Sequence, residues 1–439
     1  MEKFIAVFKL GLKYLYRYRR RYAFLMAALV FCYAIVTVIT SIKDGMYDSV
    51  YYTAQSHYAG DIVAFGYDSD TIWESAQHLG QDEISAILNA ATADIGGINP
   101  RYTVLRTIYG SDSIVHYNGV AVMLKYLTGC DWDREAHLLN KMSFEEPRDS
   151  LDDDSIILSV PVARQLGAKM GDSVILEAET RRGQKNTGMF IVKGIVRDKS
   201  IFGYYKAYIS RLSLNRLVAY GDGDCSSVGF FLDDPGIAET KRRQLQNLLS
   251  GQVQIGPLVY NRDQMVLERN RPWEGIRVFL YTLPVYLSEI SSLLDAMNIL
   301  TYLLYGMMLI IISVSAAVTY RLILHERAKE MGVMRVIGFY GGDLQLVLWS
   351  EVFVIGLLSM AAGFLLALVL GWAVSLVSFS WFPGFDIFMK DGRLMPLYLP
   401  GTTLTNIAFI YIMLFAMALF PSFRASRKNL PGLLSGEPL

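Results

Sequence analysis

Five histidines (His57, His78, His116, His137, His325) and three cysteines (Cys32, Cys130, Cys225) are the side chains of this 439-residue chain best suited to metal ligation or nucleophilic catalysis. Their spacing supports neither. No H-E-x-x-H or zinc-ligand pattern occurs, and no nucleophile elbow marks a serine. The run Asp152-Asp153-Asp154 lacks the spaced oxygens and glycine of a calcium loop and reads as a solvated turn. Cys130 and Cys225 fit either a single extracytoplasmic disulfide or two buried thiols. No G-x-x-x-x-G-K-[ST] phosphate loop is present, so the chain is read as a non-enzyme without cofactor or metal of its own. If it performs work, the energy comes from elsewhere.

The stretch ERAKEMGVMRVIGFYGGDLQ, 326–345, offers a different kind of chemistry. It is charged, punctuated by glycine and patterned as helix, yet lies between two long apolar runs. Glu326 and Glu330 stand four apart with Arg327 beside the first. Met331, Met334 and Ile337 recur every three residues, which predicts a short helix with an apolar edge between Gly332 and Gly338. Gly341-Gly342 is expected to break that helix and Asp343 to cap the next. A short stiff helix across the mouth of a helix pair suits the reception of a push from a soluble partner, because packed helices move as nearly rigid bodies. The pattern alone also fits a plain hairpin connector.

The elements around that stretch are membrane spans. Hydrophobic residues make up 53% of the chain, and four stretches, 22–42, 296–320, 352–385 and 394–423, lack charge for the roughly 20 residues a hydrocarbon core requires. The third is longer than one span, so 378–385, with Trp381, Pro383 and Gly384, is expected to form an interfacial turn. No small-x-small cleavage site follows the first run, which reads as an uncleaved helix. Lys3, Lys9, Lys13, Arg17, Arg19, Arg20 and Arg21 precede it; Arg321, Arg327, Lys329 and Arg335 lie between the second and third runs; Arg424, Arg427 and Lys428 follow the fourth. Four spans put all three clusters on one side, the cytoplasm, with both termini. The segment from Lys43 to Asp295, with 25 basic and 33 acidic residues, is then exported. No nucleic-acid partner is expected, and the zero net charge hides this asymmetry along the chain.

The expected fold is membrane α-helical, with four transmembrane helices and a large α+β extracytoplasmic domain inserted between helices 1 and 2. In order these are an amphipathic cytoplasmic-surface helix (1–21), the first span (22–42), the extracytoplasmic domain in two lobes (43–282), a stalk helix running into the second span (283–320), a cytoplasmic coupling segment (321–343), the third span (344–378), an extracytoplasmic loop (379–399), the fourth span (400–423) and a cytoplasmic tail (424–439). In the exported part, SVPVARQLGAKMGDSVILEAET predicts a helix closed by Gly167, a turn at Gly171-Asp172 and a strand from Ser173. DIVAF, RYTVLRTIYG, IVHYNGVAVM, GMFIVKGIVRD, KAYISRLSLNRLV and SSVGFFLDD are strand candidates, and a first lobe is expected to end near Pro147. LPVYLSEISSLLDAMNILTYLL reads as one unbroken helix after Pro284. Ser359, Gly363, Ala367, Gly371 and Ser375 form a small-residue stripe that permits close helix approach, within the chain or to a second membrane subunit. Glu351 is expected to pair with a basic residue of the adjoining loops.

HERAKEMGVMRVIGFYGGDLQLVLWSEVFVIGLLSMAAGFLLAL resembles the E-R-x-x-E-I-G-x-L-R-A-x-G…E pattern of FtsX/MacB-like ABC transporter permeases, with Glu326, Arg327, Glu330, Gly332, Arg335, Gly338 and Glu351 on matching positions. Pro421, Arg424, Ala425 and Pro431 are similar to the family's closing motif, and 157–198 to its L-G-x-x-x-G-D strand pair and following strand. The resemblance implies a bacterial inner-membrane permease without its own ATPase site. It implies a separate cytoplasmic ABC ATPase dimer binding ATP and Mg, a second permease, identical or related, and coupling through Glu326, Arg327, Glu330, Gly332, Arg335 and Gly338. Size, a free-standing chain and span order are closest to lipoprotein-releasing permeases, which implies a lipoprotein or similarly lipophilic envelope substrate. The other class it leaves open is a non-transporting mechanotransmitter or sensor regulating an envelope hydrolase or signalling partner.

Overall fold

The computed structural model describes residues 19–69, 76–93, 98, 100–110, 113–180, 182–197, 203–379, 388–390 and 392–427. Most of the expected surface helix (1–21), the turn carrying Trp381, Pro383 and Gly384, and the tail from 428 lie outside them. The chain divides into a helical unit, containing residues up to Asp48, Leu294–Phe379 and those from Arg393, and a sheet unit containing Ser49–Leu293 with part of 380–392. The helices that matter below are α1 (Arg19–Tyr58), α2 (Gln81–Thr92), α3 (Val160–Leu166), α4 (Arg211–Val218), α5 (Ala238–Leu249), α6 (Ser288–Glu326), α7 (Ala328–Val336), α8 (Gly341–Leu376) and α9 (Pro400–Arg427).

Four of these, α1, α6, α8 and α9, are long and apolar enough to cross a membrane. Helix α1 runs sixteen residues beyond the expected end of the first span at 42, because bilayer thickness limits the apolar stretch and not the helix. No proline occurs before Ala59-Gly60, and Gly45 is carried within the helix. The helix expected to continue from Pro284 is interrupted instead. Leu283–Tyr286 forms a separate short turn, and the Ser288 hydroxyl donates to the Val285 carbonyl at 2.8 Å, a local bond that competes with helix continuation.

The helical unit packs Leu25, Leu29 and Tyr33 of α1 against Ala316 and Tyr320 of α6, Val352 and Ile355 of α8, and Ile410 and Leu414 of α9. Ser359, Gly363, Ala367 and Gly371 are buried within the chain, while Ser375 is half-exposed. A Cβ at Gly363 would crowd the Val30 carbonyl and the Tyr33 ring, and one at Gly371 would collide with Tyr398. Gly363 and Gly371 thus allow close contacts inside this chain. Tyr398 donates to the Ala367 carbonyl at 2.9 Å, and the Asn406 amide to Thr40 Oγ1 at 2.9 Å. Tyr47 donates to the Leu294 carbonyl at 3.1 Å and accepts from Asn298, tying α1 to α6.

The sheet unit contains β1 (Ile62–Asp68), β2 (Ala76–Gln77), β3 (Tyr102–Gly110), β4 (Ile114–Tyr117), β5 (Val120–Met123), β6 (Tyr126–Cys130), β7 (Ser155–Ser159), β8 (Ser173–Glu179), β9 (Lys185–Val196), β10 (Lys206–Ser210), β11 (Ser227–Phe231) and β12 (Ile276–Thr282). They form one mixed sheet in the order β12-β1-β11-β3-β6-β10-β7-β9-β8-β4-β5, with β2 on β1. The pairs β6–β10 and β7–β9 are parallel and the rest antiparallel. Its two largest cores are covered by helices. One gathers Val115, Leu127, Ile156, Leu158, Val174 and Val192 with α3 and α4; the other gathers Ile62, Ala64, Val228, Phe230, Val278 and Leu280 with α2 and α5.

The lobes therefore do not divide at Pro147, because β1 and β3 complete a core with β11 and β12 from the far end of the segment. Gly167 closes α3 in the left-handed region (φ 71°), and β8 starts at Ser173, as the spacing predicts. Two strand readings are corrected. KAYIS is strand but RLSLNRLV is α4, an amphipathic stretch that buries Leu214, Leu217 and Val218. IVHYNGVAVM is a hairpin, since Asn118 and Gly119 (φ 47° and 81°) supply the two positive φ angles of a tight turn.

Cys130 packs with Tyr208 and Trp132, and Cys225 lies in the core containing Phe230. Both are free thiols. Burial pushes the Cys225 thiol up to about 12 and that of Cys130 higher still, so neither supplies reactive thiolate at neutral pH. Maleimide should label neither position in the folded chain and both after denaturation without reductant; labelling that requires reductant would show a disulfide instead.

Candidate functional site

Helix α7 interrupts the path from α6 to α8. It begins where Arg327 departs from helical backbone and ends at Gly338, whose φ of 105° only glycine adopts without strain. The Gly338 and Phe339 amides return to the Arg335 and Met334 carbonyls at 3.2 and 3.1 Å. The glycines therefore play other parts than expected. Gly332 is buried in mid-helix, Gly338 is the stop, and Gly341 opens α8 with Tyr340 as its cap. Asp343 does stabilise that start, from the third helical position: its carboxylate accepts the Tyr340 amide at 3.3 Å while its own amide donates to the Tyr340 carbonyl at 3.0 Å.

The apolar edge divides between two faces. Ala328, Met331 and Met334 pack into the core of the helical unit. Ile337 is 74% exposed, together with Val333, Val336 and Tyr340. Of the residues matching the coupling pattern, Glu326 and Gly338 are exposed, Glu330 and Arg335 half-buried, and Arg327 and Gly332 buried.

Arg327 is the centre of the arrangement, at 1% exposure. Its Nη1 donates to Glu351 Oε2 of α8 at 2.6 Å and to the Tyr22 oxygen of α1 at 2.9 Å. The Tyr22 hydroxyl donates to the same Glu351 oxygen at 2.7 Å. Glu330 lies one turn further along α7, its carboxylate 3.8 Å from Arg327 Nε. The expected partner of Glu351 is thus Arg327, reached across the α7 segment. Tyr22 went unseen in the sequence, where its one signal is an aromatic ring at the start of an apolar run. These three side chains join α1, α8 and the start of α7 through charge-assisted bonds in a site closed to water, where such bonds are strong and a missing partner is costly. Among the described residues, no three His, Cys, Asp or Glu side chains are grouped to hold a metal. The site is built to hold a helix in place.

Residues 302–430, which include this site, match the family model of the FtsX-like permease C-terminal region. No curated protein matches the chain. Among solved structures, the periplasmic region of MacB from Actinobacillus actinomycetemcomitans is similar at 13% identity and a TM-score of 0.31, over 54% of this chain and 95% of that one. A domain described as that of a permease protein from Porphyromonas gingivalis is similar at 12% identity and a TM-score of 0.26, over 51% and 89%. At these scores the two likenesses carry no argument for a shared fold.

Replacing Glu351 with Gln should destabilise the helical unit by about 3 kcal/mol, because the Arg327 charge loses its counter-ion in a water-excluded site. The paired change Arg327→Leu with Glu351→Leu should cost less than Glu351→Gln alone, as read by thermal unfolding of the detergent-solubilised chain.

Proposed function

We propose that this chain is the permease subunit of an ABC transporter, in which a separate ATPase dimer docks on α7 and its ATP-driven movement is passed through the membrane helices to the exported sheet unit. The observation that carries this reading is the two-sided character of α7. Buried Arg327, Met331 and Met334 fix one side to α1 and α8, while Val333, Val336, Ile337 and Tyr340 leave an apolar ridge free on the other. An exposed apolar ridge at a polar boundary suits a protein partner. A helix locked along one face moves with the helices it grips. The match of 302–430 to the FtsX-like permease C-terminal family supports a partner ATPase and a membrane setting.

In this reading the basic clusters face the cytoplasm, the sheet unit is extracytoplasmic, and a second permease, identical or related, completes the assembly in the inner membrane. Glu326, Lys329 and Arg335 rim the ridge with charge and set the orientation of docking. The four helices are apolar over most of their length, which favours a lipoprotein or another lipophilic envelope component as cargo over a hydrophilic solute. Cells lacking the chain should accumulate lipoproteins in the inner membrane; normal sorting in such cells would remove that cargo.

Ile337→Glu and Tyr340→Ala should each abolish co-purification of the partner ATPase while leaving the melting temperature of the chain within a few degrees, roughly the scatter expected of surface changes. Retained ATPase binding by both variants would overturn the docking face.

A further inference from the structure

The carboxy-terminal end of α1 is built into the sheet by a buried set of charges. Val50, Ala54 and His57, at helical spacing, are buried. Arg106 of β3, fully buried, lies beyond the last turn, and its Nη1 donates to the Ser56 and His57 carbonyls at 2.7 and 2.9 Å. Its Nε and Nη2 donate to Glu135 Oε2 at 2.9 and 2.5 Å. The final carbonyls of a helix have no partner within it, and a cation there also meets the negative end of the helix dipole. On the flank of the same turns, Tyr51 and Gln55 each donate to Asp61 Oδ1 at 2.8 Å, while Asp61 Oδ2 accepts the Leu232 amide at 2.8 Å. Lys206 Nζ of β10 is 3.1 Å from His57 Nδ1.

The exit from the helix is equally fixed. Ala59 takes a left-handed conformation (φ 64°), which costs an alanine about 1 kcal/mol. The Gly60 amide returns to the Gln55 carbonyl at 3.1 Å, and a Cβ at Gly229 would collide with the Ala59 carbonyl. Tyr58 stacks on Tyr286 at 4.1 Å, and the Leu283 amide donates to the Asp61 carbonyl at 3.3 Å, so the strand leaving toward α6 meets the same knot. A helix that needed only to stop would do so with one glycine. Here Arg106, Glu135, Asp61 and Lys206 are each desolvated to define where the helix ends, an arrangement that specifies geometry more than it stabilises.

We propose that Arg106, with Glu135 and Asp61, is a positioning device that makes the last two turns of α1 and the sheet one rigid piece, so that displacement of α1 reaches the sheet instead of being absorbed by fraying at the helix end. This rests on the reading of the membrane helices as levers and names the residues that pass the movement on.

The test uses the full chain with its ATPase in lipid nanodiscs. The double variant Arg106→Met with Glu135→Leu removes the ion pair as a unit without changing the net charge around buried Lys206, and Arg106→Lys keeps the charge but loses the forked donors. Amide exchange is followed at 52–58 and in β3 and β11, and a maleimide dye at Met189→Cys, on the exposed face of β9, reports the response to ATP. In the double variant, exchange at 52–58 should rise about tenfold with β3 and β11 still protected. The ATP-induced dye signal should fall severalfold while hydrolysis continues, and Arg106→Lys should fall between. Unchanged exchange at 52–58, or an unchanged dye signal once exchange has risen, overturns the proposal. If the double variant loses β3 protection, Arg106→Lys decides by the same readouts. A wild-type dye indifferent to ATP overturns the lever reading instead, and exchange alone then decides whether Arg106 fixes the helix end.

Discussion

A guanidinium shut away from water must keep its counter-charge, and the placing of Arg327 at the junction of α6 and α7 imposes that requirement on the helical unit. Glu351 has to face inward from α8 and Tyr22 has to reach in from α1, because an unpaired charge in so apolar a setting is among the costliest features a fold can carry. The position of α7 follows. With Met331 and Met334 drawn into the core beside Arg327, the opposite side of a nine-residue helix can only present Val333, Val336 and Ile337 outward.

Arg106 obeys the same rule in the sheet unit. It too is fully buried and matched by one carboxylate, and its Nη1 donates to two backbone carbonyls of α1. The two arginines differ in what they hold. Arg327 joins side chains of separate helices, whereas Arg106 takes the open carbonyls of a helix end and so fixes where α1 stops. Replacing such a buried pair by apolar side chains is often neutral, whereas removing one partner is costly, so each arginine ties its helix to the carboxylate that matches it.

Close approach supplies the rest. Gly363 and Gly371 let α8 lie against Tyr33 and Tyr398, and Gly229 lets the Ala59 carbonyl rest on β11. At each place a methyl group would have to displace backbone or an aromatic ring, so small residues set the separations within which the polar contacts form.

The sequence by itself determined the elements whose cause is local. Charge-free length marked the four apolar helices, Gly167 and Gly171-Asp172 marked the turn between α3 and β8, and the motif from Glu326 to Glu351 marked the segment that proved to hold the buried ion pair. It misplaced what depends on partners distant along the chain. The core that β1 and β3 share with β11 and β12 follows from strand pairing across more than 100 residues, which no local pattern encodes, and α4 lay concealed in a strand-like run until its leucines had a sheet to cover. Only the tertiary structure decided that Arg327 faces inward while Ile337 faces out, that Tyr22 completes the pair, and that Arg106 closes the end of α1, because a side chain's environment is set by whatever packs against it and not by its neighbours in sequence.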